Sequence, residues 1–177
     1  MNNILIGFMG CGKSSVGRAL AKQLGAWHVD TDHELEKREG MTIPDIFAKK
    51  GEDYFRQAET QTLRWLASER GSRRLVISTG GGLPLRPENA ELLRKIGRVI
   101  WLRATPQTIA ERVGPRLSQR PLVAGHGDNL MGRVEELLAE REPVYRDVAD
   151  QVIDTDGFEK SAHVAERIIE DLGLGKM

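Results

Sequence analysis

A three-layer α/β fold, with a parallel sheet covered by helices on both faces, is predicted by three features of this 177-residue chain. Short apolar or β-branched runs alternate with longer amphipathic ones, the pattern of strands joined by crossover helices. Pro44, Pro87 and Pro106 stand at or near the starts of longer runs, where a missing N–H costs nothing. The first short run leads directly into a glycine-rich loop and then a helix-prone segment.

In order, the expected strands are residues 3–6, 27–30, 75–78, 99–102 and 151–154. The expected helices are residues 13–24, 32–39, 44–50, 52–69, 87–95, 106–112, 129–141 and 160–172. No internal repeat or low-complexity tract interrupts them. The stretch 113–128 resists assignment because it carries three glycines, two prolines and two arginines. A loop that long is usually a lid or a disordered segment, and beside a phosphate loop we expect a lid.

The length suits one domain spanning 1–177, and 40% hydrophobic residues suffice for a core. The 26 basic and 26 acidic residues cancel, which leaves no electrostatic footprint for nucleic acid or a membrane surface. Only one cysteine is present, Cys11, so a disulfide framework is excluded and a reducing compartment fits. Its place in the glycine-rich loop can mean a small residue or a reactive thiol. The four histidines lack metal-ligand spacing. No apolar stretch approaches the roughly 18 residues that span a bilayer. Because the chain opens almost at once on its first strand, we expect no signal peptide and a soluble cytoplasmic protein.

Residues 7–14 read Gly-Phe-Met-Gly-Cys-Gly-Lys-Ser, a complete P-loop between a strand and a helix. Gly7 and Gly12 permit the tight turn that aims successive N–H groups at phosphate oxygens. Lys13 can reach the β- and γ-phosphates, and the Ser14 hydroxyl can ligate Mg²⁺. The dipole of the following helix adds to the anion site. ATP or GTP is therefore expected; the loop says nothing of the acceptor.

The second strand ends in Asp30-Thr31-Asp32. Thr31 and Glu34 form a capping box for the next helix, which accounts for those two residues but for neither aspartate. At the carboxyl end of a parallel strand, Asp30 can help hold Mg²⁺ through its waters. Asp32 can accept a hydrogen bond or proton from an acceptor hydroxyl. Gly80, Gly81 and Gly82 follow the third strand, either as a flexible turn or as a backbone that approaches a ligand. Arg120 lies in the expected lid, held extended by Pro121. It is either an exposed loop arginine or a guanidinium delivered to a phosphoryl group in flight.

Helical phase adds two more arginines. Arg56 is seven residues before Leu63, so it projects near the apolar face, with Glu59 placed to brace it. Arg141 falls on the stripe Leu130, Val134, Leu137, Leu138. An ion pair and a helix C-terminus would explain each singly. Two inward cations together call for an anionic partner, and arginine forks match carboxylates.

The P-loop, Asp30-Thr31-Asp32, Phe55-Arg56, Gly80–Gly82, Arg120-Pro121-Leu122 and Arg141-x-Pro143-x-Tyr145 follow the order and approximate spacing of shikimate kinases, which the chain resembles over nearly its whole length. The resemblance implies a P-loop kinase fold with a five-stranded parallel sheet flanked by helices, similar to nucleoside monophosphate kinases, with a closing lid about 113–128. It implies transfer of the γ-phosphoryl of ATP to the 3-hydroxyl of shikimate, on the way to chorismate and the aromatic amino acids. By motif, ATP and Mg²⁺ would lie on Gly10, Cys11, Gly12, Lys13, Ser14 and Ser15, with Asp30 supporting the metal. Asp32 would bind the shikimate hydroxyls and is the candidate base. Arg56 and Arg141 would clamp the carboxylate beside the Gly80–Gly82 backbone, in a substrate-binding region about 32–62 lined by Phe47 and Phe55. Arg120 would meet the phosphoryl group, and Arg112 would stack on adenine. A monomer is expected. The rival readings are another small P-loop kinase, for gluconate or a nucleoside monophosphate, and a non-catalytic nucleotide sensor.

Overall fold

The computed structural model describes residues 1–68, 73–114 and 129–174. Five strands form one parallel sheet in the order β2-β3-β1-β4-β5: β1 Asn2–Ile6, β2 Trp27–Asp30, β3 Leu75–Ser78, β4 Gly97–Arg103 and β5 Gln151–Asp154. In β1 and β4 successive residues from Ile4 to Ile6 and from Val99 to Leu102 are all buried. Since neighbours along a strand point to opposite faces, both faces of the sheet are covered, as the near-continuous apolar runs predict.

The helices are α1 Lys13–Leu24, α2 Thr31–Glu39, α3 Ile43–Ser68, α4 Pro87–Ile96, α5 Pro106–Val113, α6 Leu130–Val148 and α7 Ser161–Asp171, with a 3₁₀ turn at Leu83–Leu85. The two helices expected on either side of Gly51 are both present within α3, which kinks there because Gly51, at φ 82° and ψ 173°, leaves the helical path. The expected last residue of that segment, Glu69, lies outside the described residues.

Two local expectations are corrected. Asp30, not Thr31, caps α2: one carboxylate oxygen accepts from the Asp32 and His33 amides at 3.1 and 3.4 Å. Thr31 is instead the first helical residue, and its hydroxyl accepts from the Gly80 amide at 3.1 Å. The helix expected to stop at Arg141 continues through Pro143 to Val148. A proline there forfeits one helical hydrogen bond. Beyond it Tyr145 and Val148 are buried in the main core, and that tertiary packing carries the helix on.

α1 runs against β3 and β2 at a distance that only a glycine allows. A Cβ on Gly17 would stand 2.3 Å from Ser78 Oγ and 2.7 Å from His28 Nε2. The pair it leaves room for is specific. Ser78 Oγ donates to the Lys13 carbonyl at 2.9 Å, so it accepts from His28 Nε2–H, also at 2.9 Å. Burial lowers the His28 pKa, with Asp30 opposing and Arg18 assisting. Among the described residues no helix is long and apolar enough to cross a membrane.

Gly17→Ala would raise intrinsic helix propensity by about 1 kcal/mol, yet we expect it to destabilise the fold by about 2 kcal/mol through overpacking. Urea unfolding midpoints check this, and Gly17→Ala with Ser78→Ala should recover part of the loss. A stabilised single variant would contradict the close approach.

Candidate functional site

The carboxyl ends of β1, β2 and β3 bring the sequence-singled residues into one region. The P-loop leaves β1 through Gly7, at φ 138°, whose Cβ would strike the Leu102 carbonyl of β4 at 2.4 Å. Gly12, at φ 93°, then caps α1. Lys13 is folded back on this loop: its ammonium donates to the Gly7 and Phe8 carbonyls at 2.8 Å each and lies 3.8 Å from Cys11 Sγ. Cys11 itself is buried against the loop. The Ser14 hydroxyl donates to Asp30 at 2.5 Å, so the two expected metal-side groups touch.

These residues open on a cleft of about 520 Å³ lined by Gly10, Gly12, Lys13, Ser14, Ser15, Asp30, Asp32, Gly80, Gly81 and Arg112. Among the described residues no three His, Cys, Asp or Glu side chains converge as a metal cage. Hard oxygens from Ser14 and Asp30 fit Mg²⁺, which is typically held by one or two protein groups together with phosphate oxygens and water.

The three glycines after β3 are each met by a different side chain. A Cβ on Gly80 would stand 2.7 Å from Asp32 Oδ1, one on Gly81 3.7 Å from Arg141 Nη1, and one on Gly82 2.6 Å from Arg56 Nη1. Asp32, Arg56 and Arg141 come from α2, α3 and α6, so the glycine loop is where these helices meet. Side chains at Gly80 or Gly82 would push the polar groups away. Arg56, Gly82, Arg86 and Arg141 line an adjoining cleft of about 450 Å³.

The two arginines differ in how they are held. Arg56 donates to Glu59 at 2.8 Å and to Glu52 at 3.2 Å. Burial pushes the Glu59 carboxyl from 4.5 to about 7, with Arg56 opposing and the Asp32 charge adding to the rise. Arg141 is only 6% exposed, and its Nη1 has no hydrogen-bond partner. Its guanidinium lies 5.4 Å from the centre of the Phe8 ring. Phe47 and Phe55 stack with centroids 4.8 Å apart in a small core with Leu35, Ile46 and Ala58, beneath Arg56 rather than on the walls of either cleft.

Arg112 spans from the P-loop to the end of β5. Its guanidinium donates to the Gly10 carbonyl and to the Thr155 hydroxyl and carbonyl, each at 3.3 Å. Arg112, Thr155, Phe158 and Val164 with Gly12 and Ser15 line a hollow of about 240 Å³ beside the phosphate cleft. The segment after Asp154-Thr155-Asp156 has no fixed register in the sequence, and the sheet order places Thr155 and Phe158 beside Arg112. Sequence spacing marks Glu59 only as a brace and gives no site signal for Tyr145, Ser78 or His28, whose contacts cross large sequence separations. Of the lid expected at about 113–128, Val113 ends α5 and Gly114 caps it, while Arg120 and the rest lie outside the described residues. A further hollow of about 570 Å³ between α1 and α7 is mainly apolar, lined by Ala19, Leu24 and Ile169, at the end of α1 remote from the P-loop.

A shikimate kinase family profile matches residues 9–173. The shikimate kinase of Symbiobacterium thermophilum is 45% identical over 173 residues, covering 97% of this chain and 96% of the relative. That of Moorella thermoacetica is 44% identical, covering 97% and 94%. Among solved structures, the shikimate kinase of Acinetobacter baumannii in complex with shikimate superposes with a TM-score of 0.88 at 38% identity, covering 97% of this chain and 92% of that one. The shikimate kinase of Aquifex aeolicus gives 0.79 at 34% identity, covering 98% and 96%. The protein belongs to the shikimate kinase family.

Proposed function

We propose that the protein transfers the γ-phosphoryl group of MgATP to the 3-hydroxyl of shikimate, giving shikimate 3-phosphate and ADP. The observation that carries the acceptor side is Arg141: a buried guanidinium with an unpartnered Nη1, one glycine away from Arg56 and packed on the ring of Phe8 in the P-loop. Burying a charge without an anion is costly, and a ring carboxylate supplies the anion in the planar form that arginine matches.

Each role in this reading is supported by where the described residue lies. Backbone amides from Gly10 to Ser15 receive the phosphates, and Lys13 exchanges the Gly7 and Phe8 carbonyls for phosphate oxygens. Mg²⁺, held by Ser14 and Asp30 with phosphate oxygens and water, would neutralise phosphate charge. Arg112 covers the base in the hollow completed by Thr155 and Phe158. Arg56 and Arg141 hold the acceptor carboxylate, and Asp32 accepts from the acceptor hydroxyl. A loose phosphoryl-transfer transition state needs little base strength, so Asp32 chiefly orients that hydroxyl. Arg120, which lies outside the described residues, keeps the role that the family resemblance implies, at the phosphoryl group. The buried, unpaired Cys11 suits a reducing, cytoplasmic setting.

A coupled ADP-release assay with shikimate, gluconate and AMP tests the reading. Strong turnover is expected on shikimate alone; turnover on gluconate or AMP without shikimate, or ATP binding with no turnover at all, would overturn it. Lys13→Ala should lower kcat by at least about 100-fold. Arg141→Ala should raise the shikimate KM about 10- to 100-fold, the loss of a charge-assisted contact, with ATP affinity largely unchanged.

Glu59 makes the fold pH-dependent. Its carboxyl binds a proton more tightly in the folded chain than the 4.5 of the free group, at about 7. This contribution to stability is complete below pH 4.5 and is lost as pH rises through about 7. The change corresponds to about 3 kcal/mol at most. Glu59→Gln, which keeps an oxygen for Arg56, should flatten that decline and be more stable than wild type at pH 8. Urea melts from pH 5 to pH 8 measure it, and parallel slopes for the two proteins would exclude Glu59 as the source.

A further inference from the structure

Tyr145 belongs to the Arg141-x-Pro143-x-Tyr145 motif, yet the phosphoryl-transfer roles above leave it unused. Its side chain is fully buried, its ring centroid lies 5.8 Å from that of Trp101, and its hydroxyl donates to the Gly81 carbonyl at 2.7 Å. Burial raises its pKa against the opposing charge and hydrogen bond of Arg141, so the hydroxyl stays a donor throughout the working pH range.

The glycine loop shows why this one bond matters. The Gly80 and Gly82 carbonyls accept from nearby amides, Leu83 at 3.3 Å and Leu85 at 3.1 Å. The Gly81 carbonyl is taken by a side chain from α6, 64 residues away. A trans peptide is planar, with its C=O and N–H pointing in opposite directions. Gripping the Gly81 carbonyl therefore turns the Gly82 N–H away from Tyr145. The peptide joins two glycines, neither with a Cβ to restrict it, so without the grip only the bonds to the flanking Gly80 and Gly82 carbonyls limit its rotation. Arg141 is four residues before Tyr145, about one helical turn, on the same face of α6. Its Nη1 lies 3.7 Å from where a Gly81 Cβ would stand.

We propose that Tyr145 is a positioning residue for the acceptor: its hydroxyl locks the Gly81–Gly82 peptide so that the Gly82 N–H and the Arg141 guanidinium are presented together to the bound carboxylate. This rests on the acceptor reading given above. One helix thereby sets both the charge and the backbone donor of the clamp.

Tyr145→Phe removes the grip and keeps the ring. We expect the shikimate KM to rise about tenfold while the ATP KM stays within about twofold, and the ¹⁵N order parameter of Gly82 to fall from about 0.85 to below about 0.6. Val148→Ala, also buried on α6 but away from the loop, controls for lost stability and should move neither readout. An unchanged shikimate KM, an unchanged Gly82 order parameter, or equal effects in Val148→Ala would each overturn the proposal. Failure of wild-type protein to phosphorylate shikimate would overturn the acceptor reading instead, and the Gly82 order parameter would then decide the locking role by itself.

Discussion

Burying Arg141 is the constraint around which the acceptor side is arranged. A guanidinium cannot be deprotonated, so a fold that takes it out of water must supply neighbours that tolerate a positive charge. Here those neighbours are the face of Phe8, the Tyr145 hydroxyl and the carbonyl-rich glycine loop, none of which neutralises it. The contrast with Arg56 is informative. Arg56 comes with its own carboxylates, Glu52 and Glu59, and remains partly exposed. Arg56 is thus stable whether or not a ligand is present, whereas Arg141 gains most from an incoming anion. The asymmetry would give the proposed clamp one arm held ready and one arm whose charge attracts.

The glycine loop is the meeting point that makes this arrangement possible. Asp32, Arg56 and Arg141 lie on three helices far apart in sequence, and each packs on a different glycine. Two hydroxyls then hold the loop itself. Thr31 accepts the Gly80 amide from the α2 side, and Tyr145 donates to the Gly81 carbonyl from the α6 side. A residue with a side chain at position 80 or 82 would separate the polar groups by the width of a methyl. For a reaction that depends mainly on positioning, a displacement of that size matters.

Much of this was legible in the sequence because the signals are local. Strand runs buried on both faces, proline at helix starts and the P-loop each declare themselves within a dozen residues, and the inward phase of Arg141 follows from helix geometry alone. The misreadings share one cause. Thr31 has the spacing of a cap, but its hydroxyl is drawn to Gly80, which leaves Asp30 to cap α2 while also receiving Ser14. Pro143 has the look of a helix stop, but the buried Tyr145 and Val148 outweigh one missing hydrogen bond. Thr155, Phe158, Ser78 and His28 have no local signal because their partners arrive through the sheet order. In each case a tertiary contact overrides or supplies what propensity cannot express.

That sheet order also explains how donor and acceptor halves keep their distance. β3 lies between β1 and β2 and ends immediately before the glycine loop. Ser78, its last residue, donates to the carbonyl of Lys13, while Gly81, three residues on, is gripped by α6. The backbone that carries the phosphate lysine and the backbone that faces the acceptor clamp are therefore fastened to one short segment. Both fastenings are neutral hydrogen bonds in buried surroundings, which salt does not screen and which hold direction as well as distance. The P-loop could serve many acceptors unchanged. On the acceptor reading proposed above, what commits it to a small hydroxy acid is that Asp32, Arg56 and Arg141 are referred, through Ser78 and the glycines, to the same strand end as Lys13.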